Sequence, residues 1–152
     1  MLQKILCPLD FSNHSRRTLD VAVNLAETFR ARLILFHVVE GVQGEEQFLI
    51  LAITPQEIEE RLEREAHRRL QALLDEIKTD IEIETAIGRG KAFVEIIKKA
   101  REENADLIVI GSHGYSGDIP HILLGSVVEK VARKAPCSVF IVKDKNNAFR
   151  MP

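Results

Sequence analysis

The sequence predicts an α/β fold in which a doubly wound, five-stranded parallel sheet carries helices on both faces. Short apolar runs alternate with segments of helical period from the first strand to the last, a pattern typical of βαβ units. The second run, RLILFHVV at 32–39, is almost wholly apolar, as a strand covered on both faces should be. Right-handed crossovers then require helices on both sides of the sheet.

The first half of the chain contains two strands and two helices. We predict a strand at Lys4–Pro8, a helix from about Ser15 to Phe29, and a strand at Arg32–Val39. The first helix carries an apolar stripe of Leu19, Val23 and Ala26. Residues 40–53 show no clear period and are long for a connection between a strand and a helix, so we expect a functional or mobile loop there.

The first residues of the second predicted helix indicate where it begins. Thr54, Pro55 and Glu57 form a capping box with proline at the first helical position. One face of this helix is apolar and is formed by Ile58, Leu62, Ala66, Leu70, Leu73, Leu74 and Ile77.

The second half continues the alternation. We predict a strand over about 80–87, a turn at Gly88–Gly90, a helix that packs through Phe93, Ile96, Ile97 and Ala100, and a strand at 107–110 that runs into Gly111. A helix from about Ser126 to Lys134 and a strand at Ser138–Val142 complete the set. The predicted sheet is Rossmann-like with strand order 3-2-1-4-5.

Composition limits the classes of protein to consider. The 152 residues predict one domain at 1–144 with a polar tail at 145–152. A net charge of −2 does not indicate a nucleic-acid surface. No run of 18 apolar residues is present, so we expect no membrane span. The first ten residues do not resemble a secretory signal, and Cys7 and Cys137 are interpreted as reduced, core-type residues of a cytoplasmic protein.

Ligands of doubly wound sheets bind at the carboxyl ends of the strands, where the strand order reverses. The segment there, Gly111-Ser112-His113-Gly114, is followed after ten residues by Gly125-Ser126 at the start of a helix. Glycines allow backbone N–H groups to approach phosphate oxygens, and a helix N-terminus attracts anions. The alternative is that these glycines form only a tight turn and a helix cap.

Three further positions face the same end of the predicted sheet. Asp10 either accepts hydrogen bonds from ribose hydroxyls or begins the turn into the first helix. Ser12 either caps that helix or touches the ligand, and the cap is favoured. The backbone of Val38 is placed to bind an adenine edge. Gly88-Arg89-Gly90-Lys91 lacks the full P-loop pattern, and no catalytic residue or metal-ligand cluster is predicted.

Over residues 4–142 the chain resembles the universal stress protein family, in its ATP-binding subgroup. The resemblance rests on Ile5–Ser12, on Phe36-His37-Val38, and most strongly on Asn104–Gly114 together with Gly125–Val131 and Ala135–Val139.

The resemblance implies a cytoplasmic homodimer, joined through strand 138–142, that binds ATP with Mg²⁺ or Mn²⁺ and acts in stress responses through a regulatory protein partner. It implies that Gly111, His113 and Gly114 hold phosphate and ribose and that Asp10 binds ribose. Phosphates would lie against Gly125, Ser126, Val127 and Val128. The remaining lining residues would be Pro8, Leu9, Ser12, Val38 and Ile110.

The chain departs from the family pattern in two places. Ten residues rather than nine separate Gly114 from Gly125, and Asp118 among them adds a negative charge. Ala92 stands where the family usually has proline, a change expected to be structural. The first departure favours an alternative, a dimeric interaction protein of the same fold that binds no nucleotide; a slow ATPase is the other alternative.

Overall fold

A computed structural model describes residues 1–41, 52–113 and 124–143 and confirms the doubly wound sheet. All strand pairs are parallel and the order is β3-β2-β1-β4-β5. Among these residues the elements are β1 (Lys4–Pro8), α1 (Ser15–Phe29), β2 (Arg32–Val39), α2 (Pro55–Glu76), β3 (Ile83–Arg89), α3 (Ala92–Glu102), β4 (Leu107–Gly111), α4 (Ser126–Lys134) and β5 (Ser138–Val142).

Alternation along the strands builds one apolar core on each face of the sheet. Ile5 of β1 packs on the face covered by α1 and α2, with Leu19 and Leu70. Leu6 packs on the opposite face, covered by α3 and α4, with Ile96. All five side chains are at least 97% buried, and each strand therefore contributes apolar residues to both cores, as a central parallel sheet requires.

The start of α2 is formed as its sequence predicts. The Thr54 hydroxyl accepts a hydrogen bond from the Glu57 N–H at 3.2 Å, and the Glu57 carboxylate accepts one from the Thr54 N–H at 2.8 Å. These bonds lower the pKa of Glu57. The predicted apolar face is only partly correct: Ala66 and Leu70 are buried, but Leu62 is 43% exposed. With 22 residues, α2 is about 33 Å long and exceeds the strands beneath it.

The predicted limits of β3 are wrong at both ends. Pairing with β2 begins at Ile83 opposite Leu33, so residues 80–82 lie before the ladder. Gly88 and Arg89 belong to the strand rather than to the turn, opposite Val38 and Val39.

The turn falls at Gly90, whose φ of 134° favours glycine. Gly88 is required for packing, because a Cβ there would lie 2.7 Å from the Phe36 ring.

Several predictions lie outside the described residues: most of the 40–53 loop, Gly114 and nearly all of the ten residues that follow it, and the polar tail. In the described parts of the chain, no helix combines the length and apolar character needed to cross a bilayer.

Candidate functional site

A cavity of about 470 Å³ opens at the carboxyl ends of β1, β2 and β4. It lies where the chain order reverses, since β1 is flanked by β2 on one side and β4 on the other. Its volume is in the range of small-molecule sites. All predicted site residues that the structure describes line it: Pro8, Leu9, Asp10, Ser12, Val38, Ile110, Gly111, His113, Gly125, Ser126, Val127 and Val128.

One end of the cavity lies beside β2, and we call it the base end because the sequence predicts that Val38 binds an adenine base there. The geometry of the strand directs the Val38 backbone into the cavity. The Leu9 N–H donates to the Phe36 carbonyl at 2.8 Å, so Phe36 directs its backbone groups toward β1. Backbone groups of successive strand residues point to alternate sides. Val38 therefore faces the same way, beyond the end of β1, whereas the Val39 carbonyl accepts from the Gly90 N–H on the other side at 3.1 Å. The Val38 N–H and C=O are thus directed into the cavity.

Asp10 performs the turn role that its sequence position allowed. Its Oδ1 atom accepts hydrogen bonds from the Ser12 N–H and the Ser15 hydroxyl, each at 2.9 Å. These bonds enclose Phe11, whose φ of 60° is unusual for a residue other than glycine. Both bonds use Oδ1, so a ribose role would fall to Oδ2.

The prediction that Ser12 caps α1 is wrong. The N-cap residue is His14, which makes no side-chain cap bond. Because the Asp10 side chain already binds the Ser12 N–H, the chain completes a turn before α1 begins at Ser15. Ser12 instead contributes its carbonyl, which accepts from the Ser15 N–H at 3.0 Å.

His37 is held as a structural residue at the wall of the cavity. Its Nδ1–H donates to the Leu9 carbonyl at 2.7 Å, and its ring lies 4.4 Å from the Phe11 ring, centroid to centroid. The Cζ atom of Arg69, in α2, lies over the Phe11 ring at 5.4 Å from its centroid. Burial lowers the pKa of His37, although the Leu9 carbonyl and Asp10 act in the opposite direction.

The phosphate end of the predicted site is assembled by Ser112. Its N–H donates to the Val142 carbonyl at 2.9 Å, and its own carbonyl accepts from the Gly125 N–H at 2.9 Å. Its hydroxyl lies 2.9 Å from Nδ1 of His113. The exit of β4 and the start of α4 are therefore in direct contact, although ten residues separate Gly114 from Gly125 in the sequence.

The N-terminus of α4 opens onto this end of the cavity. Gly125 is the N-cap residue and supplies no side-chain cap bond. Ser126 is the first helical residue rather than the cap. The first N–H groups of a helix have no partner within the helix, and here they belong to residues that line the cavity. Together with the helix dipole they form a surface suited to an anion.

Gly111 allows β4 to pass close to α1. A Cβ at this position would lie 3.0 Å from the hydroxyl oxygen of Thr18, which is itself only 3% exposed. A side chain here would require Thr18 to move, so the glycine has a packing role in addition to its predicted ligand role.

Sequence reasoning missed eight residues of the cavity wall. They come from the first turns of α1 and α3 and from the end of β2: His14, Ser15, Thr18, Phe36, His37, Glu40, Ala92 and Ile96. Two signals would have found several of them. Phe36 and Val38 share one face of β2 by two-residue alternation, and helix N-termini cluster at the carboxyl ends of parallel strands.

The P-loop hint is excluded by the structure. Arg89 lies in β3 and is paired with Glu63 of α2, and Lys91 is the N-cap residue of α3. Among the described residues no group of three or more His, Cys, Asp or Glu side chains is placed to hold a metal ion.

A doubly wound α/β sheet with a cavity at its switch point and a helix N-terminus facing that cavity defines the Rossmann-like class of α/β proteins. Within this class, the universal stress protein family model matches residues 1–143. The chain belongs to the universal stress protein family.

Individual relatives agree with this assignment. Universal stress protein YxiE of Bacillus subtilis is 32% identical, over 94% of this chain and all of that protein. Protein MJ0577 of Methanocaldococcus jannaschii is 31% identical, and its solved structure superimposes with a TM-score of 0.76 over 96% of this chain and 99% of that one. A universal stress protein solved in complex with cAMP is 30% identical, with a TM-score of 0.61 over 93% of this chain and 97% of the other.

Proposed function

We propose that this protein binds an adenine nucleotide, ATP with Mg²⁺ or Mn²⁺ on its phosphates, and acts as a nucleotide-responsive regulatory module of a homodimer in stress responses. The observation that carries the proposal is the Gly125 N–H to Ser112 carbonyl bond. It joins the two glycine segments at one end of a cavity whose other end presents the Val38 backbone. The cAMP complex of a relative supports an adenine nucleotide as the ligand class.

In this proposal the nucleotide lies across the switch point. Adenine binds the N–H and C=O of Val38, ribose binds Asp10 Oδ2, and the phosphates lie against the first N–H groups of α4 and the segment Gly111–Gly114. Hydrogen bonds from backbone donors to charged phosphate oxygens are each worth about 1.5–3 kcal/mol. The phosphate end would therefore contribute much of the affinity.

Nucleotide-dependent thermal stability tests the proposal. At a free concentration of 100 Kd, a ligand raises the free energy of unfolding by about 2.7 kcal/mol, which corresponds to a rise of roughly 5–11 °C in Tm for a chain of this length. We expect this rise with MgATP and a smaller one with AMP at the same concentration. Equal shifts with ATP and AMP would refute the phosphate contacts. No shift with either would favour a family member that acts through protein contacts alone.

Mass spectrometry of the small molecules released on denaturing the purified protein provides an independent readout. An adenine nucleotide in stoichiometric amount would support the proposed ligand class. A different bound molecule would contradict it.

The homodimer is proposed to form through β5. This strand is one edge of the sheet, and its outer surface includes Phe140, which is 45% exposed. The opposite edge strand, β3, carries Glu84 and Arg89, and both are held in ion pairs. An apolar edge favours pairing with another strand, whereas charged residues discourage it, and a two-fold axis would stop growth at two chains.

A backbone substitution tests this edge. The Val142 carbonyl accepts from the Ser112 N–H, so by alternation the Ile141 N–H points away from β4. Ile141→Pro removes that N–H and is expected to give monomers in sedimentation velocity at tens of micromolar. Phe140→Ser changes the exposed side chain and leaves the backbone intact, and it should weaken the dimer less. A monomeric wild-type protein would refute the proposal.

A further inference from the structure

Glu40 occupies a defined position at the base end of the cavity. It follows β2 directly and lines the cavity together with Phe36 and Val38. Its Oε1 atom accepts a hydrogen bond from the Ala92 N–H at 2.9 Å. Ala92 is the first residue of α3, and the N-cap residue Lys91 makes no side-chain cap bond.

The start of α3 thus holds the Glu40 carboxylate in place. A carboxylate at a helix N-terminus is stabilised by the helix dipole and by an otherwise unpaired N–H group. This bond needs a backbone N–H at residue 92, which alanine has and proline would lack.

This contact uses Oε1 of the carboxylate, so a ligand role would fall to Oε2. An ionised carboxylate only accepts hydrogen bonds. The nearby Val38 carbonyl is also an acceptor, and both lie at the end of the cavity opposite the anion-binding start of α4. The base end is therefore lined by two acceptor groups, the Val38 carbonyl and the Glu40 carboxylate, and a ligand group that donates two hydrogen bonds matches them.

We propose that Glu40 selects 6-aminopurine nucleotides over 6-oxopurine nucleotides. The exocyclic amine of adenine carries two N–H donors, one for the Val38 carbonyl and one for Glu40 Oε2. Hypoxanthine and guanine place a carbonyl oxygen at the same position, which would face two acceptors and be repelled. The negative charge of Glu40 also disfavours a reversed nucleotide, with its phosphates at this end. This inference rests on the proposed nucleotide site.

ATP and ITP form a suitable pair of probes, because they differ only at the purine edge proposed to face Val38 and Glu40: ITP has an oxygen in place of the 6-amino group and a proton on N1. A hydrogen bond to a charged group, when lost and replaced by an unpaired acceptor, changes affinity by about 10- to 100-fold. Isothermal titration calorimetry with the magnesium complexes is expected to show wild-type protein preferring ATP by about this factor. Glu40→Gln should reduce the preference, because a rotated amide can donate to the 6-oxygen, and the preference that remains is the part set by the Val38 N–H and C=O.

Ala92→Pro separates the position of the carboxylate from its charge. Proline is well tolerated at the first position of a helix, and Lys91 already has the extended conformation that precedes proline, with φ −75° and ψ 125°. The variant should fold at least as stably as the wild type, yet lose most of the discrimination between ATP and ITP. Glu102→Gln is the control: it removes one negative charge, as Glu40→Gln does, but at an exposed residue at the other end of α3. It should leave the discrimination unchanged.

The outcomes distinguish failure of the proposed nucleotide site from failure of the proposed selection by Glu40. If wild-type protein binds neither nucleotide, the proposed function is wrong and the inference falls with it. If it binds ATP and ITP equally, or if Glu40→Gln keeps the wild-type preference, only the selection by Glu40 is refuted. If Ala92→Pro keeps the preference while Glu40→Gln loses it, the role of the Ala92 N–H in placing the carboxylate is refuted.

Discussion

Substitution of Asp10 separates its turn role from its proposed ribose role. Asp10→Ala removes two hydrogen bonds that stabilise the turn around Phe11, one from the Ser12 N–H and one from the Ser15 hydroxyl. At about 0.5–1.5 kcal/mol each, their loss should lower the free energy of unfolding by about 1–3 kcal/mol. If Asp10 also accepts from ribose, nucleotide affinity should fall at least about tenfold, or 1.4 kcal/mol.

Asp10→Asn provides the matched control. Its amide oxygen can still accept from the Ser12 N–H, so most of the turn should survive, while the charge and the second acceptor offered to ribose are lost. We expect urea denaturation to show stability near that of the wild type for Asn and a clear loss for Ala. Calorimetric titration with ATP should show weakened binding for both. Wild-type affinity in a folded Asn variant would mean that Asp10 is only a turn residue.

Three further predictions concern two positions in the packed interior and one residue of the cavity wall. Gly88→Ala should lower Tm by about 2–12 °C in differential scanning calorimetry, because its Cβ would lie 2.7 Å from the Phe36 ring and overpacking costs about 1–3 kcal/mol. Adding Phe36→Leu should recover part of the lost stability. Burial lowers the pKa of His37, so as the pH falls below about 6.5 the unfolded chain binds a proton at His37 before the folded chain does. The free energy of unfolding should therefore decrease as the pH is lowered. An equal pH dependence in His37→Gln would contradict this. Burial raises the pKa of Cys7 to about 12, so Ellman's reagent at neutral pH should modify Cys7 only after unfolding, and rapid reaction in the native protein would contradict its buried position.

The sheet could be predicted from the sequence because its strands are apolar on both faces and its helices have clear periods. The limits of β3 could not, because the ladder is set by the partner strand. Residues 80–82 alternate like a strand, yet the paired register with β2 begins only at Ile83, opposite Leu33. Gly88 resembles a turn residue in the sequence, but it is a strand residue that leaves room for Phe36.

The candidate site was predictable where a residue follows a strand and less so where a distant residue completes the wall. Val38, Asp10 and Gly111 were found because they lie at strand ends. Glu40 was missed because its side chain is held by the N–H of Ala92, which is 52 residues further along the chain. Alanine stands at residue 92, where the family usually has proline, and its N–H makes the hydrogen bond to the Glu40 carboxylate.

The longer spacing between the glycine segments illustrates why a count of residues is a weak guide to geometry. Ten residues instead of nine separate Gly114 from Gly125, and this departure from the family pattern left two alternatives, an outward bulge or a change in the direction of the N–H groups. In the structure both ends of that segment are fixed independently: β4 by its pairing with β5, and α4 by the bond from the Gly125 N–H to the Ser112 carbonyl. Since loop length adds only slowly to the entropy of closure, one extra residue need not move either end. The donors that would meet a phosphate are positioned by Ser112.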